Sequence, residues 1–158
     1  MILSLEADLP VVPVGDGIRR VGHADFMALA ELMAEAYHGS VDDEGEDAPA
    51  ALAELHRMES GAYGPALRDA WLVHEDGRGQ LWSAVVCTRW QGRPFVAQAF
   101  TRPDVQRQGL SGRLVLAAAG VLQRAGESEL SLIVTRVNPA MQLYERLGFI
   151  ETDWPETA

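Results

Sequence analysis

Two spacings of apolar residues divide most of the chain between them. From Asp25 to Gly39 the residues Phe26, Leu29, Ala30, Met33, Ala36 and Tyr37 recur every three or four positions, predicting an amphipathic helix with Asp25 as N-cap and Gly39 as terminator. The helical spacing returns in "APAALAELHRMESG" and in "NPAMQLYERLG". It also carries Leu110, Leu114, Ala117, Ala118, Val121 and Leu122 on one face, with Arg113, Gln123 and Arg124 on the other and Gly126 at the end. By contrast "DAWLVHE" and "GQLWSAVVCTRWQ" alternate or run apolar around a glycine-bearing turn, as an antiparallel hairpin does, and "QGRP" turns the chain again into "FVAQAFT".

Three weaker strands complete the pattern: "IRRVG" before the first helix, "ELSLIVT" after the third, and "FIETDW" at the end. The expected order is therefore β-α-α-β-β-β-α-β-α-β, a mixed α/β arrangement of the α+β kind. Residues 1–17, "MILSLEADLPVVPVGDG", hold a short apolar stretch and then a Pro/Gly-rich break. They read as an extended lead-in able to supply an extra edge strand, and residues 18–158 read as a single domain.

A length of 158 residues suits one hydrophobic core, and 47% hydrophobic with 23% charged residues is ordinary for a soluble globular chain. The longest apolar run, "LVLAAAGVL", is far shorter than the roughly 20 residues a membrane helix needs, and no basic segment precedes "MILSLEADLP". A cytoplasmic protein with no membrane partner is expected. The single cysteine, Cys87, sits in the apolar "LWSAVVCTRW" and reads as a buried strand thiol; no Cys/His cluster has zinc-ligand spacing, so no metal is expected.

The net charge of −10 repels phosphate backbones, which argues against nucleic acid and favours cationic small molecules or basic peptides. Much of that charge is concentrated in "SVDDEGEDAP". Such a run is either a solvated surface or a cluster that enriches a protonated amine near a pocket.

Candidate chemistry begins at "QRQGLSGRL", residues 106–114, where a strand ends and a helix starts. A helix tip presents unbonded N–H groups, and Gly109 and Gly112 carry no Cβ to keep a ligand from the backbone. Arg107 adds a positive charge, so the turn is a candidate pyrophosphate cradle. It is not a P-loop, because no Gly-Lys-Ser/Thr follows, and the G-x-G-x-x-G spacing of a dinucleotide fold is absent.

This turn resembles the Q/R-x-x-G-x-G/A motif of the GNAT superfamily of acyl-CoA-dependent N-acyltransferases, in the form Gln106-Arg107-Gln108-Gly109-Leu110-Ser111 with Ser111 at the final small position. A second signature is similar as well: Asn138, Ala140, Leu143, Tyr144, Gly148 and Phe149 in "NPAMQLYERLGF". The resemblance covers the chain from about Ile18 onward. It implies a mostly antiparallel central sheet with helices on both faces and a splay between the family's fourth and fifth strands, here "FVAQAFT" and "ELSLIVT".

For function the resemblance implies acetyl-CoA or CoA as acyl donor and a primary amine, small molecule or peptide and cationic, as acceptor. Arg107, Gln108, Gly109, Leu110, Ser111 and Gly112 would hold the pyrophosphate. Phe100 and Thr101 would hydrogen-bond the pantetheine arm, one of their amides also stabilising an oxyanion. Asn138 would cap its helix and touch the pantetheine, and Tyr144 would be the general acid that protonates the departing thiolate in a direct transfer.

The sequence departs from the family at one point of chemistry. Many members carry a carboxylate on the fourth strand as general base, but "PFVAQAFT" offers only Gln98. Glu44, Glu46, His38 and Tyr37 are candidates, as is a water relay to solvent or an acceptor that arrives neutral. The same gap leaves open a non-catalytic acyl-CoA-binding or sensor module. The little chain that follows Phe149 also leaves a sheet edge to be covered, either by "MILSL" or by a strand of a partner subunit in a homodimer.

Overall fold

The computed structural model describes residues 1–6, 9, 10, 12, 14–38, 45, 47–106, 108–134 and 138–152. Its strands are β1 (Ile2–Ser4), β2 (Ile18–Arg20), β3 (Leu72–Glu75), β4 (Leu81–Trp90), β5 (Arg93–Thr101) and β6 (Glu129–Ser131). Its helices are α1 (Phe26–Tyr37), α2 (Ala48–Glu59), α3 (Leu110–Arg124) and α4 (Ala140–Leu147). The six strands form one sheet in the order β1-β6-β5-β4-β3-β2, antiparallel at every junction except β5–β6.

The meander β3-β4-β5 is the spine of the sheet. Gln91 and Gly92 both take positive φ, 52° and 78°, so a two-residue turn joins Trp90 to Arg93 with the twist a tight hairpin requires. The long apolar run in β4 is buried on both faces. Val85 and Cys87 face one cluster with Leu114, Ala118 and Leu122 of α3, while Ala84 and Val86 face a second with Leu29 and Met33 of α1 and Leu55 of α2. Helices thus cover both faces of the sheet, as expected.

Several local expectations resolve differently. Asp25 occupies the N-cap position of α1, at the end of a short 3-10 turn in αR backbone, but its side chain makes no cap bond to that helix. Its carboxylate instead accepts Gly22 N–H at 2.7 Å and the two terminal nitrogens of Arg19 at 2.8 Å each. The cap on α2 is Asp47, whose Oδ1 accepts from Ala50 N–H at 3.0 Å. Gly39, the expected terminator of α1, lies outside the described residues.

The sheet edge beside β6 is taken by the start of the chain. β1 pairs antiparallel with β6, Ile2 opposite Ser131 and Ser4 opposite Glu129, and Met1, Leu3 and Leu5 are buried in the core. Among the described residues of "FIETDW", 149–152, the expected strand is one bridge, in which Ile2 and Ile150 exchange two backbone hydrogen bonds of 2.9 Å. Among the described residues, no helix is long and apolar enough to cross a membrane.

Candidate functional site

β5 and β6 meet in parallel at one register position, Phe95 opposite Ser131, and Ser131 Oγ donates to the Pro94 carbonyl at 2.8 Å. Just beyond, the β4–β5 register slips: Val96 opposes Cys87 and Gln98 opposes Val86, leaving Ala97 as an extra residue. A bulge bends and twists the strand that carries it. Here it accompanies the parting of β5 from the chain after β6, and "ELSLIVT" is a strand only as far as Ser131 because its neighbour has turned away. A cavity of about 550 Å³ occupies the gap, with residues 96–99 on one side and 132–134 on the other.

The parting frees backbone donors. Arg102 N–H donates to the Trp82 carbonyl at 2.8 Å, so by antiparallel alternation the Phe100 amide, opposite Ala84, also faces β4. The amides of Ala99 and Thr101 face the opposite way, into the edge that β6 has left. Thr101 is fixed there by its own hydroxyl on Ser83 Oγ at 2.8 Å and by Gln106 Nε2 donating to its carbonyl at 3.2 Å. Phe100, expected as a backbone donor, is instead buried, with its ring 6.0 Å from that of Tyr37.

The α3 tip follows directly. Gly109 occupies the N-cap with φ 78°, a left-handed conformation, and a Cβ built on it would meet nothing within 4 Å. The glycine therefore serves the backbone angle and leaves open space before the helix. Arg113 N–H bonds the Gly109 carbonyl at 3.1 Å, so the N–H groups of Leu110, Ser111 and Gly112 precede the first intrahelical bond. Gly112 has a different job: a Cβ there would lie 3.3 Å from Leu143 Cδ1 and 3.6 Å from Leu147 Cδ2, so its absence lets α4 pack against α3.

That packing brings Tyr144 to the tip. Its side chain is buried, sits edge-on to Phe149 with centroids 5.7 Å apart, and is influenced by the side chain of Ser111. Burial holds the phenol above its ordinary pKa, and the Ser111 contact partly offsets this. Asn138 Oδ1 accepts from Ala140 N–H at 2.9 Å, securing the start of α4, and both Asn138 and Tyr144 line the cavity.

The opposite wall belongs to α1, α2 and the loop after α2. Tyr37 donates its hydroxyl to Gln98 Oε1 at 2.6 Å across the mouth of the bulge. Glu54 and Arg57, one turn apart on α2, form an ion pair of 3.1 Å, and Tyr63 donates its hydroxyl to the other oxygen of Glu54. Arg57 also lies over the Tyr63 ring, 6.0 Å from its centroid.

The residues expected from sequence thus separate into groups. Tyr144 and Asn138 line the cavity, Thr101 ends β5, Gly109, Leu110, Ser111 and Gly112 form the start of α3, and Gln108 is exposed just before it. Arg107, and the candidate bases Glu44 and Glu46, lie outside the described residues. Tyr37 lines the cavity, whereas His38 is not part of its lining. Glu54, Arg57 and Tyr63 were not singled out; the only trace in sequence is the three-residue spacing of Glu54 and Arg57 in "AELHRM", which any solvated helix face also shows.

Comparison with known proteins points in one direction. The family model for FR47-like proteins matches residues 69–157. No curated protein shows significant sequence similarity to the chain. Among solved structures, a GCN5-related N-acetyltransferase from Sphaerobacter thermophilus is similar with a TM-score of 0.70 at 19% identity; 93% of the present chain is covered, which spans only 45% of that protein. The ribosomal-protein-S18-alanine N-acetyltransferase of Escherichia coli gives a TM-score of 0.68 at 21% identity, covering 86% of this chain and 78% of that one. The PaiA N-acetyltransferase of Thermoplasma acidophilum, solved with coenzyme A, gives 0.65 at 16% identity, covering 88% and 91%.

Proposed function

The chain belongs to the FR47-like family within the GNAT superfamily, and from that premise we propose that it is an N-acetyltransferase, moving an acetyl group from acetyl-CoA to a primary amine by direct transfer in a ternary complex. The observation that carries the reading is the conjunction of three features, at the end of β5, at the start of α3 and on α4. These are the outward-facing Ala99 and Thr101 amides, the open helix tip at Gly109, and the buried Tyr144 hydroxyl.

Acetyl-CoA, when bound, supplies the acyl group as a thioester. The N–H groups of Gln108, Gly109, Leu110, Ser111 and Gly112 would hold its pyrophosphate at the positive end of α3. Thr101 would pair with the pantetheine arm as an added strand, and Asn138 would meet it from the turn before α4. Ala99 N–H would donate to the thioester oxygen as negative charge develops there. Phe100 contributes through its buried ring, which backs the strand, rather than through its amide.

The neutral amine forms its bond to the acyl carbon, the carbon–sulfur bond breaks, and the sulfur takes the proton of Tyr144. The proton lost by the amine passes to water at Tyr37 and Gln98, and Tyr144 recovers its own from solvent. This route needs no carboxylate on β5. The test is to incubate the protein with acetyl-CoA and a panel of amines, reading free thiol and then the product by mass spectrometry. Acetylated product and stoichiometric thiol are expected.

Gln98, where many family members have a carboxylate, favours a second reading: an acyl-CoA-binding or sensor module. Tight CoA binding by calorimetry with no thiol released from any acceptor would establish it. Absence of CoA binding at high micromolar concentration would remove both.

A further inference from the structure

The proposal above leaves the α2 wall of the cavity without a task. Among the described lining residues, Arg57 is the one cation and Glu54 the one carboxylate. We propose that Arg57 anchors a carboxylate on the acceptor, so that the amine accepted here is an amino acid or a peptide-like amine that bears a carboxylate. The inference rests on the acyl-transfer reading of the cavity and names its substrate class.

The two side chains are held very differently. Glu54 is drawn inward, its side chain 18% exposed, and both of its oxygens are engaged, one by the Tyr63 hydroxyl and the other by Arg57 Nη1. Arg57 is 63% exposed, and it is steadied by that single bond and by the Tyr63 ring beneath it. Among the described residues no second acceptor engages the remaining N–H donors of Arg57. A guanidinium fixed at one nitrogen and stacked on an aromatic face keeps a planar fork that matches a carboxylate in two parallel hydrogen bonds.

The neighbour decides which anion fits. Glu54 beside the guanidinium repels a doubly charged phosphate more strongly than a singly charged carboxylate, and its spare lone pairs suit an ammonium next to that carboxylate. An α-amino-acid head group has both charges at the required proximity. A purely cationic acceptor such as a polyamine would meet Arg57 with like charge, which is a device for rejecting it. The acidic segment before α2 can still draw in an acceptor of net positive charge, provided that it also carries the carboxylate.

Matched acceptors test this. Lysine against 1,5-diaminopentane, and glycine against glycinamide, differ chiefly in the carboxylate. Each is titrated calorimetrically into the CoA-bound protein and assayed for thiol release with acetyl-CoA. The acid of at least one pair is expected to bind about ten- to a hundredfold more tightly than its partner. Arg57→Gln should raise KM for that acid by a similar factor, leaving kcat and CoA affinity within about twofold, and Arg57→Lys should restore part of it.

Equal or better use of the amines without a carboxylate by the unaltered protein overturns the proposal and leaves acyl transfer standing. So does an Arg57→Gln variant that changes both members of a pair alike. Arg57-dependent binding of the acids with no thiol released keeps the carboxylate anchor and sinks acyl transfer. Neither binding nor turnover with any of the four compounds removes the carboxylate anchor, and acyl transfer then rests on the wider amine panel.

Discussion

The side chain of Ser111 in the first turn of α3 acts on the hydroxyl of Tyr144 on α4, lowering its pKa, so the proposed acid is coupled to the helix tip proposed to hold the donor. Burial raises the Tyr144 pKa from its ordinary 10, because phenolate is poorly solvated there, and the Ser111 contact works against the rise. The phenol is therefore protonated across the neutral range, as an acid must be. Tyr144→Phe is expected to lower kcat by about a hundredfold or more while CoA affinity stays within about twofold. In a pH–rate profile the loss of activity from phenol ionisation should fall above pH 10, and Ser111→Ala should move it higher still, since the group that lowered the pKa is gone. A Tyr144→Phe enzyme of normal kcat with chemistry rate-limiting would take Tyr144 out of this role.

The two glycines of "QGLSG" predict losses of different origin for the same substitution. At Gly109 an added Cβ meets open space but the backbone stands at φ 78°, so Gly109→Ala should cost about 1 kcal/mol of stability from strain and weaken CoA binding by more than that. At Gly112 the new methyl presses on Leu143 and Leu147 at 3.3 and 3.6 Å. Gly112→Ala should therefore destabilise by about 1–3 kcal/mol through α3–α4 packing, and should lower activity by displacing Tyr144. Urea denaturation and CoA calorimetry on the two variants separate the cases.

These contrasts mark what the sequence could convey. The helical and alternating spacings placed all four helices and the β3-β4-β5 meander, because burial on one or two faces imposes a period that survives in one dimension. The glycine turn and the "NPAMQLYERLGF" helix were legible as motifs, and with them Tyr144, Ser111 and Asn138. The bulge at Ala97 was not, since a single extra residue in "FVAQAFT" leaves no mark on the alternation until the register with β4 is known. For the same reason sequence could not say that Ala99 rather than Phe100 turns its amide into the gap. Glu54, Arg57 and Tyr63 were hidden because they become neighbours of the cleft only when α2 packs beside α1, and Asp25 read as a helix cap because nothing local reveals that Arg19 lies within reach.

That Arg19–Asp25 pair carries a pH-dependent part of the stability. The Arg19 hydrogen bonds, aided by Gly22 N–H and opposed by burial, hold the Asp25 carboxyl below its ordinary value of 3.8. A depressed native pKa stabilises the fold above the unfolded value, and the contribution is lost as pH falls through the native one. Asp25→Asn should thus cost about 1–2 kcal/mol at pH 7, a range that allows for the partial exposure of Arg19. The difference between the two proteins should shrink below about pH 4 and close as pH falls through the depressed native value. Equilibrium unfolding in urea at a series of pH values measures it, and a gap independent of pH would show that Asp25 acts through shape rather than charge.

Cys87 supplies a prediction about reactivity that bears on every assay above. Its side chain is fully buried between β4 and α3, and burial pushes the thiol up to about 12. The thiolate, which is the reactive form, is therefore both scarce and inaccessible in the native protein. A disulfide exchange reagent at pH 8 should label no thiol on the folded protein and one per chain in denaturant, with any slow native labelling following the rate or equilibrium of global unfolding. Thiol released in the presence of acetyl-CoA then reports coenzyme alone. Prompt labelling of the native protein would mean that the β4–α3 interface opens locally, and would place a low-stability element directly beneath the strand that lines the cavity.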